Sequence, residues 1–104
     1  SNIKSQMRKG ILEYCILAII SRNEVYASDI LETLKTAEIV VVEGTVYPLL
    51  TRMKNEGLLS YRWQESTGGP PRKYYSLTDD GRTLLNQLSN EWQSICQAVN
   101  QITQ

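Results

Sequence analysis

Apolar residues recur every three or four positions through most of the chain and every second position through one stretch past its middle. The helical period opens at residues 7–20, where Met7, Ile11, Tyr14, Cys15 and Ala18 share one face and Leu12, Ile16, Ile19 and Ile20 fill much of the rest. A helix apolar around nearly its whole circumference must be covered on more than one side. In a domain this thin the second cover is expected from another subunit. Residues 21–24 read as a polar turn, after which Ala27, Ile30, Leu31 and Leu34 give a short second helix ending near Ala37.

The third helix is introduced by the β-branched run 39–42 and by Glu43-Gly44-Thr45, where a carboxylate and a hydroxyl can serve the free N–H groups of the first turn. Val46, Leu49, Leu50 and Met53 repeat at helical spacing, and Gly57 ends the helix as a left-handed cap. Pro48 comes late for a first-turn proline, so a missing hydrogen bond or a tightened turn is expected there. Opposite the apolar stripe lie Gly44, Pro48, Thr51, Arg52 and Asn55, flanked by Tyr47 and Lys54. That face is small, polar and basic.

At Leu59 the period becomes two. Leu59, Tyr61 and Trp63 alternate with Ser60, Arg62 and Gln64, and later Lys73, Tyr75 and Leu77 alternate with Tyr74 and Ser76. This predicts one two-stranded hairpin. Residues 66–72, rich in Gly and Pro, are expected to project as an unpaired loop with a basic trailing edge. Thr78 then caps a last helix whose first turn carries Asp79 and Asp80 at the positive end of its dipole. Along that helix Leu88, Trp92, Ile95, Val99 and Ile102 are spaced four, three, four, three, which is a heptad seam.

The chain has 104 residues, enough for one compact domain, and a formal net charge of zero. The neutrality holds only in sum: residues 44–76 carry Arg52, Lys54, Arg62, Arg72 and Lys73 against Glu56 and Glu65, and the segments on either side are net acidic. Affinity for a polyanion depends on charge gathered on one surface, so a neutral total does not exclude one. With no histidine present, no Ser-His-Asp or Cys-His nucleophile system exists, and Asp79-Asp80 is explained by helix capping. An enzyme is not expected, nor is a cofactor or metal. Cys15 and Cys96, far apart in apolar stretches, read as reduced thiols of a cytoplasmic protein. The run 11–20 is broken by Glu13, lacks a cleavage site and is too short to span a bilayer.

Three helices, the third with a small basic outward face, followed by a hairpin whose tip carries Arg72 and Lys73, is the order of a winged helix-turn-helix. The fold class expected is therefore mainly α with a two-stranded hairpin, with residues 1–78 forming the winged unit and 79–104 a C-terminal dimerisation helix. Short outward side chains let a helix enter the major groove, and a basic hairpin loop beside it can follow the backbone or reach the minor groove. Double-stranded DNA is the partner this pattern favours. The competing reading is a winged-helix protein-interaction module whose hairpin is only a loop.

Two motifs carry a resemblance. Glu43-Gly44-Thr45-Val46-Tyr47-Pro48-Leu49-Leu50 with Arg52 and Glu56-Gly57-Leu58, then Gly69-Pro70-Pro71-Arg72-Lys73-Tyr74-Tyr75-Ser76-Leu77-Thr78 with Gly81, are similar to the PadR family of bacterial transcriptional regulators, and the single last helix resembles its short subfamily. The resemblance implies a homodimeric repressor of near-palindromic operators, and it accounts for Pro48, because the family carries a proline at the matching place. Carried over by position, recognition-helix contacts fall on Thr45, Tyr47, Thr51 and Arg52, and wing contacts on Arg72 and Lys73. The dimer contact falls on Leu88, Trp92, Ile95, Val99 and Ile102. A small planar aromatic effector between paired Trp92 indoles is a further expectation of the same kind, set against a filled, dry interface. Tyr74 and Tyr75 are expected to pack in the hairpin rather than to stack on bases.

Overall fold

The computed structural model describes residues 10–39 and 43–104. The expected start of the first helix at Met7 and most of the β-branched run 39–42 lie outside them, as does the side chain of Glu43, which was to serve the third helix. Among the described residues the order is α1 (Leu12–Arg22), β1 (Val25–Tyr26), α2 (Ala27–Thr36), α3 (Glu43–Asn55), β2 (Leu59–Ser66), β3 (Gly69–Leu77) and α4 (Asp79–Thr103). None of these helices is long and apolar enough to cross a membrane.

Helix α1 turns Ile16, Leu17 and Ile20 into the core. Ser21 and Arg22, expected in the following turn, instead continue the helix, because Ser21 Oγ donates to the Ala18 carbonyl at 2.6 Å and is satisfied inside the last turn. The turn shrinks to Asn23 and Glu24. A strand then forms where none was expected: Val25 pairs with Tyr75 and Tyr26 with Tyr74. The sheet therefore has three antiparallel strands in the order β1-β3-β2, not two. Two residues are too few to show a period, and what recruits them is the open edge of β3 together with the Tyr26 ring, tilted against that of Tyr74 with centroids 4.8 Å apart.

At the start of α2 the Tyr26 N–H donates to Asp29 Oδ2 at 2.9 Å, the reach-back half of a capping box. The helix ends with Glu38 in the left-handed region, φ 62°, while the Ile39 N–H bonds the Leu34 carbonyl at 2.8 Å. Helix α3 ends in the same geometry: Gly57 has φ 81°, its N–H bonds the Lys54 carbonyl, and the Leu58 N–H bonds the Met53 carbonyl, both at 3.0 Å. One cap is built on the residue that suits it and the other on a glutamate.

Helix α3 runs unbroken through Pro48. The proline has no N–H for the Gly44 carbonyl, but both residues are exposed, so that carbonyl is open to solvent and its lost bond costs little. Val46, Leu50 and Met53 are fully buried and meet Ile16, Leu17, Ile20, Ile30, Leu34, Leu59 and Tyr75 in a single core. The last helix, capped by Thr78, joins this core only through its first half, where Leu84, Leu85 and Leu88 pack against it. Its outer half extends past the body, which gives a molecule of 54 × 31 × 20 Å.

The junction between wing and last helix is tight. Thr78 Oγ1 accepts from the Gly81 N–H at 3.0 Å and donates to the Gly57 carbonyl at 2.7 Å, while the Thr78 N–H donates to the Leu58 carbonyl at 3.2 Å. Gly81 is buried, and a Cβ there would sit 2.1 Å from the Leu58 carbonyl oxygen. The first turn of α4 thus lies directly on the turn that ends α3.

Candidate nucleic-acid interface

Burial of Val46, Leu50 and Met53 fixes the rotation of α3, so Thr45, Tyr47, Pro48, Thr51, Arg52 and Asn55 face outward. Thr51 Oγ1 donates to the Tyr47 carbonyl at 3.2 Å, which leaves its lone pairs free to accept. Arg52 is already engaged: one guanidinium nitrogen lies 2.9 Å from both Glu56 oxygens, and the other lies 3.2 Å from Glu13 on α1. Hydrogen bonding to Glu56 first, then to Glu13, raises its pKa further above the ordinary arginine value.

The wing departs from the expected loop. Residues 66 and 69–72 are strand, with Ser66 paired to Gly69 and Arg72 to Gln64: β2 runs to Ser66, β3 starts at Gly69, and only Thr67-Gly68 turns, with Gly68 at φ 75°. Pro70 and Pro71 are accommodated by a bulge, since Gln64 opposes Arg72 but Ser66 opposes Gly69, and Ser66 Oγ donates to the Pro70 carbonyl at 2.8 Å. Both prolines lie beyond the reach of β1, where that edge of β3 is vacant, and neither has a paired residue on β2, so no ladder bond needs their N–H groups. The wing is a stiff ribbon.

Alternation along β3 sends its two basic residues to opposite faces. Arg72 lays its guanidinium 3.9 Å over the Tyr26 ring and donates to Ser28 Oγ in the first turn of α2. Lys73 points to the face shared with Tyr61 and Trp63, its Nζ 4.6 Å and 5.7 Å from their ring centres. Between wing, α2 and α3 opens a groove of about 330 Å³ lined by Ser28, Tyr47, Thr51, Trp63, Arg72 and Lys73 among others. Four of the six residues expected at a DNA contact, Tyr47, Thr51, Arg72 and Lys73, therefore line one groove. Thr45 stands exposed in the first turn of α3, and Arg52 turns toward α1.

Trp63, Tyr26 and Ser28 were not foreseen at this place. The period-two pattern puts Trp63 on the inner face with Leu59 and Tyr61, but the ribbon has by then left the body and the indole is 61 % exposed. The hairpin tyrosines behave as expected: Tyr75 is buried, and Tyr74 is sandwiched by Tyr26 and by the Arg62 guanidinium at 4.8 Å. On α4, Leu88 packs against the chain's own core, whereas Trp92, Ile95, Val99 and Ile102 stay exposed, Trp92 at 41 %.

Three helices whose last presents a polar face beside a stiff hairpin, with the fourth helix leaving the body, make a winged helix-turn-helix. Residues 16–87 match the PadR-like family of transcriptional regulators. Three solved structures are similar over nearly their whole length. A PadR-like transcription factor from Bacteroides fragilis is 57% identical, with 98% of this chain and 99% of that chain covered and a TM-score of 0.80. A PadR-like transcriptional regulator from Bacillus cereus is 42% identical, covering 95% and 97%, with a TM-score of 0.84. A PadR family regulator from Eggerthella lenta is 30% identical, covering 96% and 88%, with a TM-score of 0.86. The chain belongs to the PadR-like family: it is a DNA-binding transcription regulator and not an enzyme.

Proposed function

We propose that the chain acts in the cytoplasm as a homodimeric repressor, docking α3 in the major groove of duplex DNA and the wing on the adjoining backbone or minor groove. The observation that carries this reading is the common groove: Tyr47 and Thr51 stand on one wall, Arg72 and Lys73 on the other. Thr45 and Arg52 extend the same α3 surface at either end. The outer half of α4 supports the dimer, since Trp92, Ile95, Val99 and Ile102 form an apolar stripe that the chain's own core does not cover. A planar aromatic effector stacked between paired Trp92 indoles is the finer part of this reading. Titrating the Trp63→Phe protein with planar aromatic cations tests it, and fluorescence quenching no greater than inner-filter loss speaks against it.

Selection of duplexes from a random pool, followed by titration across salt, tests the main reading. Binding should weaken steeply with salt. The Arg72→Ala, Lys73→Ala double variant should lose affinity for selected and scrambled duplex by similar factors and lower the salt slope by about one unit per phosphate contact removed. An unchanged slope in a folded protein removes the wing from the interface. Binding that does not respond to salt favours a protein-interaction module instead.

A further inference from the structure

Large apolar side chains left exposed among the described residues fall in two places only. Trp92, Ile95, Val99 and Ile102 lie on α4, while Tyr47 and Trp63 lie in the groove between α3 and the wing. The first set has an occupant in the proposed dimer. The second has none, although Tyr47 and Trp63 share one groove, the setting in which exposed apolar surface marks a contact rather than a scattered side chain. Little in the hairpin holds this tryptophan: its opposite neighbour is Lys73, whose Nζ lies 5.7 Å from its ring centre, and its ring meets Tyr61 edge-on, with centroids 5.8 Å apart and planes at 86°.

The surroundings narrow what the ring is for. Lys73 Nζ is shared between the faces of Tyr61 and Trp63, so the ammonium is held beside the indole rather than swinging free. Arg72 stands on the rim, fixed by Tyr26 and Ser28, and Tyr47 and Thr51 bring hydroxyls from the opposite wall. Among the described residues no carboxylate lines the groove. A cation set against an apolar wall, with hydroxyls opposite and no acid among those lining residues, is complementary to an anion bonded to an apolar ring. One phosphate with its deoxyribose is that unit, and a volume of about 330 Å³, at the low end of ligand-sized cavities, suits one repeat of a polymer passing through.

Resting on the DNA-binding reading above, we propose that Trp63 is a DNA-contact residue, its indole packing against one deoxyribose of the duplex backbone while Lys73 takes the neighbouring phosphate. The contact is apolar and carries no sequence information. It adds a component to affinity that salt does not screen, unlike every cationic contact of the wing.

The experiment separates those two components. Trp63→Ala should weaken binding to any duplex by about tenfold at every salt concentration while the slope of log K against log salt stays at the wild-type value. Lys73→Ala should lower the slope by about one unit, and Trp63→Phe should recover part of the loss. Circular dichroism and melting of each variant confirm the fold. In the wild-type protein carrying 5-fluorotryptophan, the ¹⁹F resonance that disappears in Trp63→Phe should shift when duplex is added. Wild-type affinity in Trp63→Ala, or a Trp63 resonance that duplex leaves unmoved, overturns the contact while leaving the DNA-binding reading intact. A lowered salt slope in Trp63→Ala overturns it too, because the ring would then serve only to hold Lys73. Failure of the wild-type protein to bind any duplex defeats the underlying reading instead.

Discussion

Gly81 shows what a single hydrogen in place of a methyl group decides. With 2.1 Å between its absent Cβ and the Leu58 carbonyl oxygen, a side chain there has to push apart two backbone segments, not a mobile side chain. Gly81→Ala should therefore destabilise the protein by about 1–3 kcal/mol, even though alanine is the better helix former, and urea titration of the two proteins checks it. Tyr75 makes a second prediction. Burial first, then the nearby Tyr61 and Tyr47, hold its phenol above the ordinary value of 10.0, so the folded state keeps a proton that the unfolded chain gives up. Its contribution is fully present below pH 10 and is lost as pH climbs from there toward the raised folded value. In Tyr75→Phe that alkaline decline in melting temperature should be shallower, and an unchanged decline would place its origin elsewhere.

Among the elements, α3 was the most legible from sequence, because its apolar spacing, its glycine stop and its small outward residues all agree with one helix in one rotation. Less legible was whatever depends on a partner distant in sequence. Two-residue β1 exists only because β3 offers it an edge, and Pro70 and Pro71 enter a strand only because a bulge and a vacant edge excuse their missing N–H groups. Glu38 in a left-handed cap carried no signal at all, since glycine is the residue that announces that geometry. The site divides the same way: residue types on α3 and β3 were readable, but not that Arg72 and Lys73 point apart, nor that Arg52 reaches Glu13 across from α1. That last contact bears on the proposed reading of bases by α3. Because both of its ion pairs are solvent-exposed, Arg52→Ala should leave the melting temperature nearly unchanged. Discrimination between selected and scrambled duplex should nonetheless fall by at least about fivefold in competition titrations. Equal losses on both duplexes would make Arg52 a phosphate clamp.

For the whole molecule the decisive asymmetry is in α4, half of it rooted in the core and half extending beyond. In the proposed dimer a second copy covers the heptad stripe on the outer half, and Trp92 is the largest side chain on that stripe. If so, Trp92→Ala should shift the protein from dimer toward monomer at low micromolar concentration, since the partner would bury the indole and truncating a buried tryptophan costs about 3–5 kcal/mol. Sedimentation velocity reads this directly, and an undiminished dimer would move the interface off this residue.

The strand order has a consequence for the order in which the protein comes into being. Its central strand, β3, is the last strand to leave the ribosome, so a nascent chain that has released everything through Ser66 holds two strands with nothing between them. Val25 waits for Tyr75, the core waits for the same residue, and the groove has no second wall until Arg72 and Lys73 emerge. Synthesis thus delivers helices first and closes the sheet late, and the pairing of β1 with β3 is a non-local step of the kind that slows folding. When β3 slots between its neighbours, sheet and groove are completed together, and Leu84, Leu85 and Leu88 of α4 then pack against the core.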